Sequence, residues 1–145
     1  MNKSTIIKDI QDVLEHEYRS SVKYIDKDWG QLSMENPPVG WPCILIDIEE
    51  VSMRDFHDGN QQATAIVVVT VANRRTNSSS AHAPAQTKDK SYITLDLTDS
   101  VHDTLRGFCA DNSDYTPLET VSFYKNGDFM GGECYVMRYR TKYNI

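Results

Sequence analysis

The sequence has little of what most enzyme or membrane classes require. Its three cysteines, Cys43, Cys109 and Cys134, are odd in number and far apart. That fits neither a disulfide framework nor paired CxxC metal ligands, so reduced thiols are expected. No apolar run approaches the roughly 18–20 residues needed to cross a bilayer. The opening "MNKSTIIKDIQDVLEHEY" lacks the about 7–15 apolar residues of a signal-peptide core, so the protein is expected to stay where it is synthesised. There is no P-loop, no GxGxxG and no GxSxG elbow. Basic residues are also in deficit. Fifteen Lys and Arg against 21 Asp and Glu give a net charge of −6, which argues against generic nucleic-acid binding.

What is present suits one domain: 145 residues, 39% hydrophobic and 25% charged, are enough for one core and too few for two comfortable ones. The charge is unevenly placed. Between Asp26 and Asp58 there are eight acids and two bases, whereas Asn73–Lys90, "NRRTNSSSAHAPAQTKDK", carries Arg74, Arg75, Lys88 and Lys90 against Asp89. Loops longer than about 12–15 residues are uncommon in compact domains and are usually functional or disordered. An acidic shoulder and a basic arm suit contact between copies, although solvated charge is the commoner explanation of such runs.

Periodicity predicts the elements. Ile6, Ile7, Ile10, Val13, Leu14 and Tyr18 give a helix over about Thr5–Arg19, with Ser4 or Thr5 as its cap. "SVKYI" reads as a brief strand, and "ENPPVGWP" as an extended passage fixed by its prolines. "CILIDIEEV", the turn Asp58-Gly59-Asn60 and Ala63–Ala72 form an antiparallel pair whose second strand, apolar on both faces, must be covered on both sides. Ile93, Leu97, Val101, Leu105 and Phe108 make one stripe of a second helix that ends near Gly107. "LETVSFYK" and "GGECYVMRYRTKY" flank the hairpin signal Asn126-Gly127, with a bulge expected at Gly131-Gly132. The expected fold is α+β, in the order α-β-β-(long loop)-α-β-β. It is a mainly antiparallel four-stranded sheet with two helices on one face and a projecting flexible loop at 73–90. The other face, apolar in its central strand, is expected to serve association, with closure by the chain's own loops as the alternative.

Candidates for chemistry are few. Asp55, His57 and Asp58 would orient an imidazole or hold a cation in a small hydrolytic or cation-binding domain, but polar residues beside a hairpin turn are expected in any case. Cys109 follows the second helix, at the end of a helix that does not stabilise a thiolate. Arg138, Arg140 and Lys142 with Tyr139 and Tyr143 are the one candidate nucleic-acid stripe. Alternating basic residues more commonly protect an edge or solvent-facing strand. No catalytic residue, cofactor or metal is assigned.

The layout, with "WPCILIDIEEV", "QQATAIVVVTVA", the helix ending "LRGF", then "YTPLETVSF" and "YVMRYRTKY", resembles the tail terminator family of long-tailed bacteriophages and prophages. The likeness covers Thr5–Tyr143 as architecture with short diffuse motifs. It implies a structural, non-enzymatic virion protein, assembled in the host cytoplasm without membrane or specific nucleic-acid contacts. Such a protein is typically a hexameric ring that caps the tail tube protein and meets the head-tail connector, and it can be monomeric in solution. A head-tail joining or neck protein is the alternative. The long loop, with Arg74, Arg75, Lys88 and Lys90, is expected to help build the ring or its contact with the tube.

Overall fold

In the computed structural model, residues 2–74, 80–126 and 132–145 are described. The elements run α1 (Lys3–Tyr18), β1 (Tyr24–Lys27), a 3-10 turn (Gln31–Ser33), β2 (Cys43–Asp55), β3 (Gln61–Arg74), α2 (Ala85–Ser91), α3 (Ile93–Leu105), β4 (Glu119–Asn126) and β5 (Gly132–Asn144). They form one α+β unit around a five-stranded sheet of order β1-β2-β3-β5-β4. The four expected strands are antiparallel neighbours, β2 with β3, β3 with β5 and β5 with β4. The fifth, β1, runs parallel to β2 at its start, Tyr24 beside Cys43 and Lys27 beside Ile46. It grows from the short apolar alternation after α1, and it is parallel because residues 28–42 carry the chain back along the sheet before β2 begins.

The expected two-sided cover of β3 is present. On one side α1 and α3 bury Ile6, Ile10, Leu14, Val101 and Leu105 against Ile44, Ile46, Val67, Val69, Met137 and Tyr139. On the other, Cys43, Leu45, Ala72, Cys134 and Val136 form a smaller cluster under Leu32, Val39 and Trp41 of the β1–β2 connection. This corrects the expectation of an uncovered apolar face: the chain's own connection closes one end of it. Gly40 allows the close approach, since a Cβ there would lie 2.7 Å from Cβ of Lys23.

Several boundaries and caps also differ. Asn2, not Ser4 or Thr5, is the N-cap of α1; its carbonyl accepts from the Thr5 N–H at 3.0 Å, while its side chain makes no capping bond. The inward stripe of α3 is rotated from the expected one. Thr94 and Thr98 are buried with Val101 and Leu105, and Ile93 is 53% exposed. The threonines tolerate burial because their hydroxyls are bonded. Thr98 Oγ1 donates to the Thr94 carbonyl at 2.8 Å, and Thr94 Oγ1 accepts from Asn73 Nδ2 at 3.0 Å.

The loop expected at 73–90 is shortened at both ends. Asn73 and Arg74 belong to β3, opposite Glu133 and Gly132, and residues from Ala85 onward form α2. The expected turn at Asn126-Gly127 and the bulge at Gly131-Gly132 fall partly outside the described residues, while Gly132 itself pairs in β5.

Candidate assembly surfaces

The Asp55, His57 and Asp58 group lies at the exposed tip of the β2–β3 hairpin, and its carboxylates serve the turn. Asp55 Oδ1 accepts from Gln61 Nε2 at 2.9 Å; Asp58 accepts from the Asn60 N–H at 3.0 Å and from Asn60 Nδ2 at 2.8 Å. Gly59 turns the chain at φ +84°, a conformation open to glycine. Arg54 lies over the Phe56 ring at 5.2 Å. No group of three or more His, Cys, Asp or Glu side chains that could hold a metal ion occurs among the described residues.

The basic stripe and its tyrosines part company in space. In β5, Tyr139 and Tyr143 are buried under the helices, Tyr139 completely, whereas Arg138 and Arg140 pair in register with Val68 and Ile66 on the opposite face. Tyr139 and Tyr143 therefore do not flank these cations as base binding needs. Arg138 reaches across β3 to Glu49 at 3.4 Å. Long side chains of this kind shield apolar surface while keeping their charge in water. Beneath them Ile66 is only 4% exposed. The helix-free face is thus closed by the β1–β2 connection at one end and roofed by ion-paired side chains at the other.

Tyr143 has a second role at the helix side. Its hydroxyl donates to Glu50 Oε1 at 2.6 Å, and Lys3 Nζ lies 3.1 Å from the same oxygen. The Tyr143 bond and then Lys3 hold the Glu50 carboxyl below its ordinary 4.5, while burial raises the phenol of Tyr143. A depressed carboxylate stabilises the fold above its unfolded-state pKa and loses that contribution as pH falls through the folded value. In Tyr143→Phe the Glu50 pKa should rise toward 4.5, and acid unfolding should begin at higher pH. Carboxyl NMR titration with acid melts tests this; an unmoved Glu50 titration would refute the assigned cause.

The thiols on the helix-free face are inert. Cys43 and Cys134 flank Ala72 on neighbouring strands. Burial first, and then the nearby Cys134, pushes the Cys43 thiol up to about 12; burial and Asp28 push Cys134 up to about 11. Both stay protonated, as small buried hydrophobes do. Cys109, beyond α3, has its sulfur 2.6 Å from Ser113 Oγ.

Of the four cations assigned to the loop, Arg74 is the one whose side chain is described. Arg74 is in β3, and its guanidinium covers the Trp41 ring at 5.4 Å, so it braces the β1–β2 connection within the subunit. Arg75 lies outside the described residues. Lys88 and Lys90 lie on α2, and their side chains are likewise outside what is described.

The surfaces that sequence reasoning missed are the two sheet edges. Among the described residues β4 is the last strand on its side, and along it Val121, Phe123 and Tyr124 are each exposed by 38–45%. On the other side β1 ends opposite Ile46, with the Asp28 N–H donating to the Ile46 carbonyl. From Asp47 to Asp55 no described strand covers β2. Val51 and Met53 are more than half exposed there. Beside this open stretch a groove of about 450 Å³ separates the start of α1 from β2, lined by Ile7, Lys8, Lys27, Ile48 and Glu50 among others. The one signal available in sequence was "ETVSFYKN", whose apolar residues do not alternate cleanly; the strand is exposed along nearly its whole length.

Compared with models of known protein families and with curated proteins, the chain matches none.

Proposed function

We propose that this chain is the subunit of a ring-forming structural protein of a long-tailed phage or prophage, a tail terminator that ends tube growth and offers a surface to the head-side connector. The observation carrying this reading is the pair of open, partly apolar strand edges at opposite sides of one sheet. Exposed unpaired edges of this kind template pairing with another chain, and different patches meeting head to tail close into a ring when the rotation permits. The resemblance of the strand-loop-helix-hairpin layout to tail terminators supports the same reading. In it the work is done by packing between subunits, without a catalytic step, in the virion tail.

The excursion between β3 and α3 is the proposed tube-contacting arm. Its base is narrow, because Asn73 at the end of β3 is hydrogen-bonded to Thr94 in α3. Replacing residues 75–91 with a short Gly-Ser linker should therefore leave the subunit folded, since shortening a loop lowers its closure entropy. The same change should abolish capping of tail tubes, seen as overlong tubes in electron micrographs of the tube protein assembled with the variant. Tubes of wild-type length would overturn the role of the arm; an unfolded variant would overturn its independence from the core.

A further inference from the structure

We infer that the open edge of β2, Asp47–Asp55, receives the β4 edge of a second copy of this chain, so that the sheet continues from subunit to subunit. This deepens the ring reading above and rests on it. Three observations favour that occupant. First, the strand directions fit. β2, β3, β5 and β4 alternate along the sheet, so β4 of a neighbour in the same orientation arrives antiparallel to β2. A stagger places it beyond the end of β1, as strands in closed sheets are commonly staggered.

Second, the faces agree. Phe123 pairs with Met137 and is 45% exposed on the helix side of the sheet, the side where Ile7 and Ile48 line the groove. A continued sheet keeps that side common to both subunits. Third, the charges favour that pairing over β2 with itself. The β2 edge Asp47–Asp55 carries Asp47, Glu49, Glu50 and Asp55 against Arg54, whereas β4 carries one acid, Glu119, and one base, Lys125. Pairing two β2 edges would join like charges; pairing β2 with the balanced β4 does not.

Two double variants block one edge each with lysines at exposed positions, Val51→Lys with Met53→Lys on β2, and Val121→Lys with Phe123→Lys on β4. Circular dichroism and melting verify that each is folded, and light scattering over a concentration series reads the mass. The wild type should form a ring, while each variant alone should fall to the 16.5 kDa monomer. Mixed in equal amounts, the two variants should form a dimer and nothing larger, since one intact edge of each kind remains.

Rings from either variant would overturn the edge pairing while leaving the ring reading intact. Dimers of the β2 variant alone would show β4 pairing with itself, and would also overturn it. If the β2 variant keeps its ring but loses binding to the tail tube protein, that edge serves the tube and not a second copy. A wild type that stays monomeric at every concentration, with or without tube protein, would overturn the ring itself.

Discussion

Val67→Asp should abolish the native fold, whereas Val68→Thr, one residue along the same strand, should change stability by less than about 1 kcal/mol. Val67 is fully buried at the centre of the sheet, paired with Ile48 on one side and Tyr139 on the other, beneath α1 and α3. A carboxylate there has no partner, and its neutral form still lacks hydrogen bonds, so the cost is on the order of 5 kcal/mol or more. Native domains of this size are stable by only about 5–15 kcal/mol in total. Val68 faces the other way, between Asp47 and Arg138, and threonine preserves its branched shape. Soluble yield, circular dichroism and urea melts of the two variants decide the matter. A cooperative, near-native melt for Val67→Asp would mean that the helix layer does not seal the sheet as described.

The second large effect should come from Gln31→Ala, a loss of about 3 kcal/mol and roughly 10 °C in melting temperature. Gln31 is a wholly buried polar side chain in the connection that closes the helix-free face. Its Nε2 donates to the Lys27 carbonyl at 2.9 Å, with the Tyr24 hydroxyl at 3.4 Å, and its Oε1 accepts from the Trp29 N–H at 2.9 Å. The Tyr24 hydroxyl in turn donates to Asp26 Oδ2 at 2.7 Å and is the first cause of that carboxyl's lowered pKa. Alanine removes the bonds and leaves a void. Gln31→Leu refills the void without the bonds, so the gap between the two variants separates packing from hydrogen bonding. Equal melts for Gln31→Ala and wild type would show that the connection is held by Trp41 and Leu32 alone.

The two predictions concern opposite faces of the sheet, and the sequence marked them unevenly. The alternation in Cys43–Val51 and the doubly apolar run at Ala63–Ala72 marked β2 and β3 and the two-sided cover of β3, because side chains on a strand alternate faces whatever the strand pairs with. The turn at Asp58-Gly59-Asn60 was legible for a similarly local reason, the backbone freedom of Gly59. Gln31 was not. A glutamine in a polar passage looks solvated until the β1–β2 connection folds back and its amide is buried against Tyr24, Lys27 and Trp29. Arg74 likewise read as a free arm cation, and only its placement over Trp41 turned it inward. The rotation of α3 onto Thr94 and Thr98 escaped detection because apolar spacing counts methyl groups and not hydroxyls satisfied by neighbours.

The sequence by itself determined the class of fold, the order of its main elements and the face each core strand turns to the helices. Those follow from periods of two and about 3.6 residues written into adjacent positions. Only the tertiary structure decided that β1 joins the sheet in parallel and stops at Ile46, that β4 lies at the rim, and that Arg138 and Glu49 roof the helix-free face. Strand neighbours and open edges arise from pairings between residues far apart in the chain. Local periodicity carries no record of which strand a given edge will meet, and it is at those edges that the proposed assembly takes place.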